Sequence, residues 1–149
     1  EVYVFRRRGR RVEFLCLRRS KKKSLPGIWQ PVTGKRRARE RAEVAAWREV
    51  VEEIGARPVK MWALESVTVF LEGSTGVPHA LPLFAAEIRA SSRVKLSKEH
   101  DAHRFEPAGL ARRSYLWESQ RRGLEAVKRE VLSRKDLAKA LELRIRRPA

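Results

Sequence analysis

The sequence predicts an α/β fold in which a mixed β-sheet lies between helices, as in an αβα sandwich. Two observations support this prediction. The elements follow in the order strand, strand, strand, helix, strand, strand, strand, helix, which places a helix on each side of one sheet. The chain of 149 residues contains no repeat and no linker, so we expect a single domain over residues 1–149.

Apolar runs bounded by turn residues predict the strands. We expect strands at residues 2–5, 12–17, 28–33, 61–71 and 79–88, and turns at 8–10 and 73–76. Apolar residues spaced for one helix face predict helices at 117–132 and 137–143, with a polar break between them. A basic loop at 18–27 and a polar loop at 89–98 complete this part of the prediction.

Composition narrows the class of protein. Hydrophobic residues make up 42% of the chain, which is enough for a folded core. The apolar runs are too short for a membrane span or a signal peptide, so we expect a cytoplasmic protein without a membrane partner. The single cysteine, Cys16, rules out a disulfide within the chain and is expected to be a buried small hydrophobe.

The chain is strongly basic, with 35 Lys and Arg against 18 Asp and Glu and a net charge of +17. Such a surplus attracts nucleotides, nucleic acids or anionic surfaces, but it does not choose between them. Basic clusters occur at residues 6–11, 18–23 and 144–147. A solvated, charge-rich surface explains these clusters equally well. Nucleic acid is therefore kept as an alternative partner.

A helix is predicted at residues 42–54, where no proline or glycine interrupts the chain. Gly55 suits the left-handed residue that ends a helix, and Pro58 follows as a stop. At about 100° per residue, one face carries an apolar stripe and the opposite face carries carboxylates and small side chains. The apolar stripe is Trp47, Val50, Val51 and Ile54, and the other face holds Glu49, Glu52 and Glu53 with Ala42, Ala45 and Ala46.

Three glutamates on one helical face repel one another by a few tenths of a kcal/mol per pair. Arg48 alone does not neutralise them. A divalent cation would do so, since hard cations such as Mg²⁺ prefer oxygen ligands. For an ordinary glutamate-rich helix, a solvated charged face is the simpler interpretation.

The whole stretch resembles the Nudix signature Gx5Ex7REUxEExGU, where U is a bulky aliphatic residue. The fixed positions are matched by Gly34, Glu40, Arg48, Glu49, Val50, Glu52, Glu53 and Gly55. Two departures are visible. Ala56 is small where the signature has a bulky residue, and the basic loop at 35–39 lacks the glycine that many members carry before the glutamate.

The resemblance implies a Nudix-type αβα sandwich and a role for each signature residue. Glu49, Glu52 and Glu53 would hold Mg²⁺, with Mn²⁺ able to replace it. Glu49 or Glu52 would act as the general base that takes a proton from the attacking water. Arg48, paired with Glu40, would orient the carboxylates through a bidentate contact.

Two shorter segments resemble one subgroup of the family. The segment WQPVTG at 29–34 resembles bacterial Nudix enzymes that act on dihydroneopterin triphosphate or dATP. It makes Trp29, Gln30, Gly34 and Lys35 the candidate substrate-binding residues, although core packing explains Trp29 equally well. In the same subgroup a glutamate before a histidine approaches the metal, which makes Glu99 a further candidate ligand or base; a loop carboxylate is the alternative.

We therefore expect a Mg²⁺-dependent Nudix hydrolase that cleaves the pyrophosphate bond of a nucleoside triphosphate or a related nucleoside diphosphate derivative. Its substrate would resemble dATP or dihydroneopterin triphosphate, and its products would be a monophosphate and pyrophosphate. Three alternatives stay open: an RNA 5′-end pyrophosphohydrolase, a dinucleoside polyphosphate hydrolase and a non-catalytic RNA-binding module. The protein is expected to be a monomer or a homodimer.

Overall fold

The structure, a computed structural model, describes residues 1–144 and contains a six-stranded mixed sheet with helices on both faces. The predicted αβα sandwich is confirmed. The strands are β1 (Val2–Arg8), β2 (Arg11–Arg19), β3 (Trp29–Gln30), β4 (Lys60–Glu72), β5 (Val77–Ile88) and β6 (His100–Glu106). The helices are α1 (Ala42–Ile54), α2 (Ala108–Ser114), α3 (Glu118–Val127) and α4 (Lys135–Leu141), with a π-helical turn at Lys128–Leu132. Of the predicted basic cluster at 144–147, only Arg144 is among the described residues.

Strand β1 joins the two parts of the sheet. It pairs antiparallel with β2, where Phe5 lies opposite Phe14, and parallel with β5, where Val2 lies opposite Phe84. Strand β5 pairs antiparallel with β4, and β2 also pairs with β6 and with the short β3. Helices cover both faces, so the central strands are apolar at successive positions rather than at alternate ones.

Two hydrophobic cores lie on opposite faces of the sheet. Successive side chains of a strand point to opposite faces, so Val2 and Val4 pack with Val50 and Ile54 of α1. On the other face, the core beneath α2, α3 and α4 contains Tyr3, Phe5, Phe14, Cys16, Leu124 and Val127. Cys16 is a buried free thiol. Among the described residues, no helix is both long and apolar enough to cross a membrane.

Several predicted boundaries differ from the structure. Strands β1 and β2 continue through Arg8 and Arg19, because backbone pairing with β2 and β6 extends beyond the apolar runs. The expected strand at 28–33 is reduced to Trp29–Gln30, since Pro31 cannot donate a ladder hydrogen bond. The predicted order contains a sixth strand after β5, to which the sequence assigned no residue range. In the structure this strand is β6. The polar helix α2 was not predicted at all.

The predicted face assignment of α1 is wrong for Glu53, Ala45 and Ala46, which were expected on the face opposite Val50 and Ile54. The helix buries Ala45, Ala46, Val50, Glu53 and Ile54 against the sheet. Positions 46, 50, 53 and 54 follow the i, i+4, i+7, i+8 spacing of one stripe, so contact through the small alanines brings Glu53 inside. Only 4% of Glu53 is exposed, whereas Glu52 is open to solvent.

We predict that Gly123→Ala destabilises the fold. A Cβ at this position would lie 2.0 Å from the hydroxyl oxygen of Tyr3, which is fully buried. The single proton of this hydroxyl is shared between Glu1 Oε1 and the carbonyl of Gln120. Relief of such a clash in a packed core costs about 1–3 kcal/mol. Denaturant unfolding measures this loss.

Gly109→Ala is the matched control, because a Cβ there meets open space and Gly109 lies in α2. Its expected effect is neutral or stabilising by up to about 1 kcal/mol. Equal effects of the two substitutions would contradict the packing described for Gly123.

Candidate active site

The loop before α1 lies directly against the helix because Gly34 has no side chain. A Cβ at Gly34 would lie only 2.0 Å from Cδ of Glu49 and 2.4 Å from its Oε2. The carboxylate of Glu49 therefore occupies the space that any other residue at position 34 would fill. This close approach explains, in physical terms, why glycine stands at the start of the signature.

Arg48 binds the carboxylates of the site together. Its Nε and Nη2 donate to Oε1 and Oε2 of Glu40, both at 2.9 Å, in a bidentate pair. Its Nη1 donates to Glu49 Oε1 at 2.7 Å and to Glu52 Oε2 at 2.9 Å. Nη2 also donates to the carbonyl of Lys35 at 3.0 Å. One guanidinium thus connects the loop to three glutamates of two different segments.

This arrangement keeps the central ion pair charged. Hydrogen bonds from Arg48, and then from the backbone amide of Arg37, lower the pKa of Glu40 to about 2. The same contact with Glu40 raises the pKa of Arg48 well above its usual value. Arg48 and Glu40 therefore stay ionised at every pH at which the protein is expected to work.

Glu53 has the opposite environment. Burial, and then the charges of Glu49, Glu99 and Glu52, raise the pKa of Glu53 to about 9. Its Oε2 is buried and has no hydrogen-bond partner among the described residues. Nδ1 of His100 lies 3.7 Å from Glu53 Oε2, too far for a hydrogen bond, and is itself buried without a partner among the described residues. Burial lowers the pKa of His100.

The donor set fits a hard divalent cation. Within residues 1–144, no three His, Cys, Asp or Glu side chains are gathered closely enough to hold a metal ion, and Arg48 holds one oxygen each of Glu49 and Glu52. The other oxygen of Glu49 faces Gly34, and that of Glu52 contacts the exposed Arg37 at 3.0 Å. A buried carboxylate with an unpartnered oxygen, beside further carboxylates, is the environment that a cation would stabilise.

Glu99 lies at the edge of this cluster. Its Oε1 accepts a hydrogen bond from Lys23 Nζ at 3.0 Å, which lowers the pKa of Glu99, and its side chain is 47% exposed. The amide of Ser20 donates to its backbone carbonyl at 2.9 Å, so the basic loop at 18–27 is attached here. Its carboxylate is directed towards Lys23, although its charge contributes to the raised pKa of Glu53.

The candidate substrate residues separate into two groups. Gly34 and Lys35 lie beside Glu49, and the buried Gln30 donates from Nε2 to Thr33 Oγ1 at 3.3 Å. Trp29 lies elsewhere, packed against the core beneath α2–α4. The guanidinium of Arg104 stands 4.0 Å from the centre of its ring.

Two cavities adjoin each other, and the first lies beside Glu49. The first, of about 440 Å³, lies between the loop, α1 and β5 and includes Gly34, Lys35, Arg36, Glu49 and His79 in its lining. The second, of about 470 Å³, has apolar walls with two amides, contributed by Phe70, Leu71, Leu81, Trp117, Gln30 and Gln120. Glu1 and Leu81 line both cavities, so the two spaces are neighbours.

Sequence reasoning missed most of the second cavity. Gln120 is buried, donates from Nε2 to Glu1 at 3.2 Å, and leaves its Oε1 without a hydrogen-bond partner among the described residues. Trp117 is 49% exposed and stands at the start of α3 rather than inside a longer helix. The one signal in the sequence was the apolar pair Leu116–Trp117 directly before a highly charged helix.

Comparisons with known proteins agree with this geometry. Residues 1–127 match the family model described as NUDIX domain. A search of curated proteins finds no match. Among solved structures, an Ap4A hydrolase from C. elegans in a binary complex is 21% identical, with a TM-score of 0.73 over 86% of this chain and 92% of that one.

Two further structures are similar. The E. coli dihydroneopterin triphosphate pyrophosphohydrolase is 23% identical, with a TM-score of 0.67 over 83% of this chain and 90% of that one. The MutT protein from Methanosarcina mazei Go1 is 26% identical, with a TM-score of 0.62 over 87% and 91% of the two chains. Since the family model spans most of the chain and these structures share its fold, the chain belongs to the Nudix family of pyrophosphohydrolases, whose members act on nucleoside diphosphates linked to a further group.

Proposed function

We propose that the protein is a Mg²⁺-dependent nucleoside triphosphate pyrophosphohydrolase that releases a monophosphate and pyrophosphate. A close relative of such a substrate, dihydroneopterin triphosphate, fits the same proposal. The observation that carries it is the unpartnered, buried carboxylate of Glu53 on the same helix as Glu49, which lines a cavity together with Lys35 and Arg36. Neighbouring structures below 25% identity support the fold and do not select the substrate.

Nudix hydrolases generally use divalent cations, and here Glu49, Glu52 and Glu53 would hold them, with Glu99 as a further ligand. When bound, Mg²⁺ neutralises the charge of a polyphosphate and lowers the pKa of water. The protein's own contribution is positional. The Arg48–Glu40 pair holds Glu49 and Glu52 in place, and Lys35 and Arg36 attract the phosphates to the adjoining cavity.

Glu49 or Glu52 is the proposed general base. Oε2 of Glu49 lies outside the hydrogen bonds of Arg48 and can accept a proton from the attacking water. Oε1 of Glu52 is bound only by the exposed Arg37, so Glu52 can act as the base when that contact opens. Arg48 and Glu40 do not exchange protons in this scheme, because their pKa values lie far from neutrality in opposite directions.

The second cavity is the proposed site for the ring of the substrate. Phe70 and Trp117 provide aromatic surface against which a purine or pterin can stack. The unpartnered Oε1 of Gln120 can accept a hydrogen bond, which an exocyclic amino group of the ring would donate. This chemistry favours an amino-substituted ring, as in dATP or dihydroneopterin triphosphate. Trp29 stays a separate prediction, since its ring is stacked with Arg104.

Substitution of Glu52 tests the catalytic proposal. With Mg²⁺, we expect wild type to hydrolyse at least one of the nucleoside triphosphates or dihydroneopterin triphosphate, and Glu52→Gln to lower kcat by about a hundredfold or more. Ion chromatography of products identifies the bond that breaks. Glu43→Gln, on the same helix and paired with Arg41, is the control and should stay within about twofold of wild type.

The substrate panel should also contain ADP-ribose, dinucleoside polyphosphates and 5′-triphosphate RNA. If the protein hydrolyses one of these three compounds but no nucleoside triphosphate and no dihydroneopterin triphosphate, the triphosphate assignment is wrong. A folded wild-type protein that hydrolyses no compound of the panel would overturn the proposal as a whole.

Glu53 makes the stability of the metal-free protein depend on pH. The pKa of Glu53 is about 9 in the folded state and about 4.5 otherwise, so the folded state binds this proton more tightly. Its contribution to the free energy of unfolding therefore falls as pH rises from about 4.5 to about 9. In EDTA, Glu53→Gln should remove this decline and be the more stable protein at pH 8, by on the order of 1–3 kcal/mol.

Mg²⁺ should stabilise wild type more at pH 8 than at pH 5, and should stabilise Glu53→Gln less at either pH. Thermal unfolding with and without Mg²⁺ measures both effects. Glu43→Gln is the control and should show the same decline of the free energy of unfolding with pH as wild type. An equal decline in Glu53→Gln would show that Glu53 does not titrate as described.

Trp117 tests the proposed ring site. Trp117→Ala should raise KM for the preferred triphosphate about tenfold and change kcat much less, since stacking contributes about 1–3 kcal/mol to binding. Leu116→Ala is the matched control, because Leu116 is equally exposed but does not line the cavity. Equal effects of both substitutions on KM would exclude a specific role of the indole ring.

A further inference from the structure

A separate basic cavity lies beyond the C-terminal end of α1. It has a volume of about 550 Å³, and its lining includes Arg57, Arg89, Arg93, Trp47, Val59 and Ser92. None of its lining residues belongs to either cavity of the candidate active site. Any ligand bound here would therefore not replace the substrate proposed above.

Three arginines converge on this cavity without a carboxylate partner among the described residues. The nearby carboxylate of Glu87 is already bound by Arg7 at 3.3 Å. Because basic residues outnumber acidic ones, an exposed cation without a partner is common in this chain. Three guanidinium groups on one concave surface are less easily explained by that surplus, since like charges repel each other most where they converge.

Capping of α1 does not account for these arginines. The last turn of the helix already has backbone donors: Gly55 N bonds to the carbonyl of Val51 at 2.9 Å, and Lys95 N bonds to that of Ile54 at 2.8 Å. Ser97 N bonds to the carbonyl of Glu53 at 3.0 Å. Three of the last four carbonyls of the helix are therefore satisfied without any guanidinium.

The basic surface continues beyond the cavity. Strands β1 and β5 run parallel with Arg6 opposite Ile88, so both strands end at the same end of the sheet. Arg89 follows β5 there, and the β1–β2 turn carries three further exposed arginines, which are Arg8, Arg10 and Arg11. The basic surface therefore extends from the cavity to the β1–β2 turn.

We propose that this surface binds single-stranded nucleic acid. Guanidinium groups bind phosphate oxygens in bidentate fashion, so the arginines would contact successive phosphates. The indole of Trp47 lines the same cavity and packs partly against the core, so its remaining surface is available for stacking an unpaired base. A cavity lined by an aromatic ring suits the splayed bases of a single strand better than the closed stack of a duplex. This binding does not depend on the proposed hydrolysis.

Fluorescence anisotropy with a labelled single-stranded RNA of 12 nucleotides tests the proposal. The RNA carries a 5′-hydroxyl and the buffer contains EDTA, so pyrophosphate hydrolysis cannot affect the reading. The test variant is Arg57→Ala/Arg89→Ala/Arg93→Ala. The control is Arg113→Ala/Lys135→Ala/Lys139→Ala, which removes the same charge from exposed positions of α2 and α4 on the other face of the sheet.

At 150 mM salt, we expect the test variant to bind at least tenfold more weakly than wild type and the control within about threefold. The slope of log affinity against log salt should decrease by about 2 in the test variant, since each single-strand phosphate contact contributes about 0.7. Double-stranded RNA should bind more weakly than the single strand. Inorganic phosphate and UMP should compete only at far higher concentrations than unlabelled RNA.

Three results would overturn the proposal. Equal weakening by the two triple variants would show a general effect of positive charge. Competition by UMP as effective as that of the 12-mer would assign the cavity to a small nucleotide. Absence of RNA binding by the wild-type protein at 150 mM salt would exclude the nucleic acid itself.

Discussion

The bidentate ion pair between Arg48 and Glu40 is the contact on which the geometry of the active site depends. It joins the signature loop to α1, and the same guanidinium holds one oxygen each of Glu49 and Glu52. Opposite pKa shifts keep both partners ionised, so the contact persists across the working pH range. Gly34 complements it by allowing the loop backbone to lie against Glu49. The glutamates are therefore positioned before any substrate arrives, which is the condition that efficient electrostatic catalysis requires.

The buried position of Glu53 lowers the stability of the fold, and this loss points to a role of its carboxylate in function. An unpartnered carboxylate inside a folded protein is destabilising, and mutation of such a position usually increases stability when function is ignored. The small alanines on the same side of α1 bring it inside, close to Nδ1 of His100, which likewise has no hydrogen-bond partner among the described residues. The fold therefore keeps a buried, unpartnered carboxylate at a position where a bound cation would stabilise it. The rest of α1 packs as an ordinary amphipathic helix.

Much of the fold and part of the site could be predicted from the sequence, for different physical reasons. The signature glutamates lie on one helix, where spacing along the chain determines spacing in three dimensions, and Gly55 and Pro58 mark the helix end. The burial of Glu53 could not be predicted, because two adjacent stripes of α1 were both compatible with packing and only the sheet selects one. The second cavity was missed since Phe70, Trp117 and Gln120 belong to separate elements that only tertiary structure brings together.

The parallel pairing of β1 with β5 has a consequence for how the protein assembles. Val2 lies beside Phe84, so the centre of the sheet requires contacts between distant parts of the chain. During synthesis, β1 can form its hairpin with β2 early, but it gains its second neighbour only after β5 has left the ribosome. Such non-local pairing slows folding, because the entropy of closing a long loop is lost before the stabilising contacts between β1 and β5 can form. Until then, the apolar side chains of β1 lack the neighbour that covers them and are a target for chaperones.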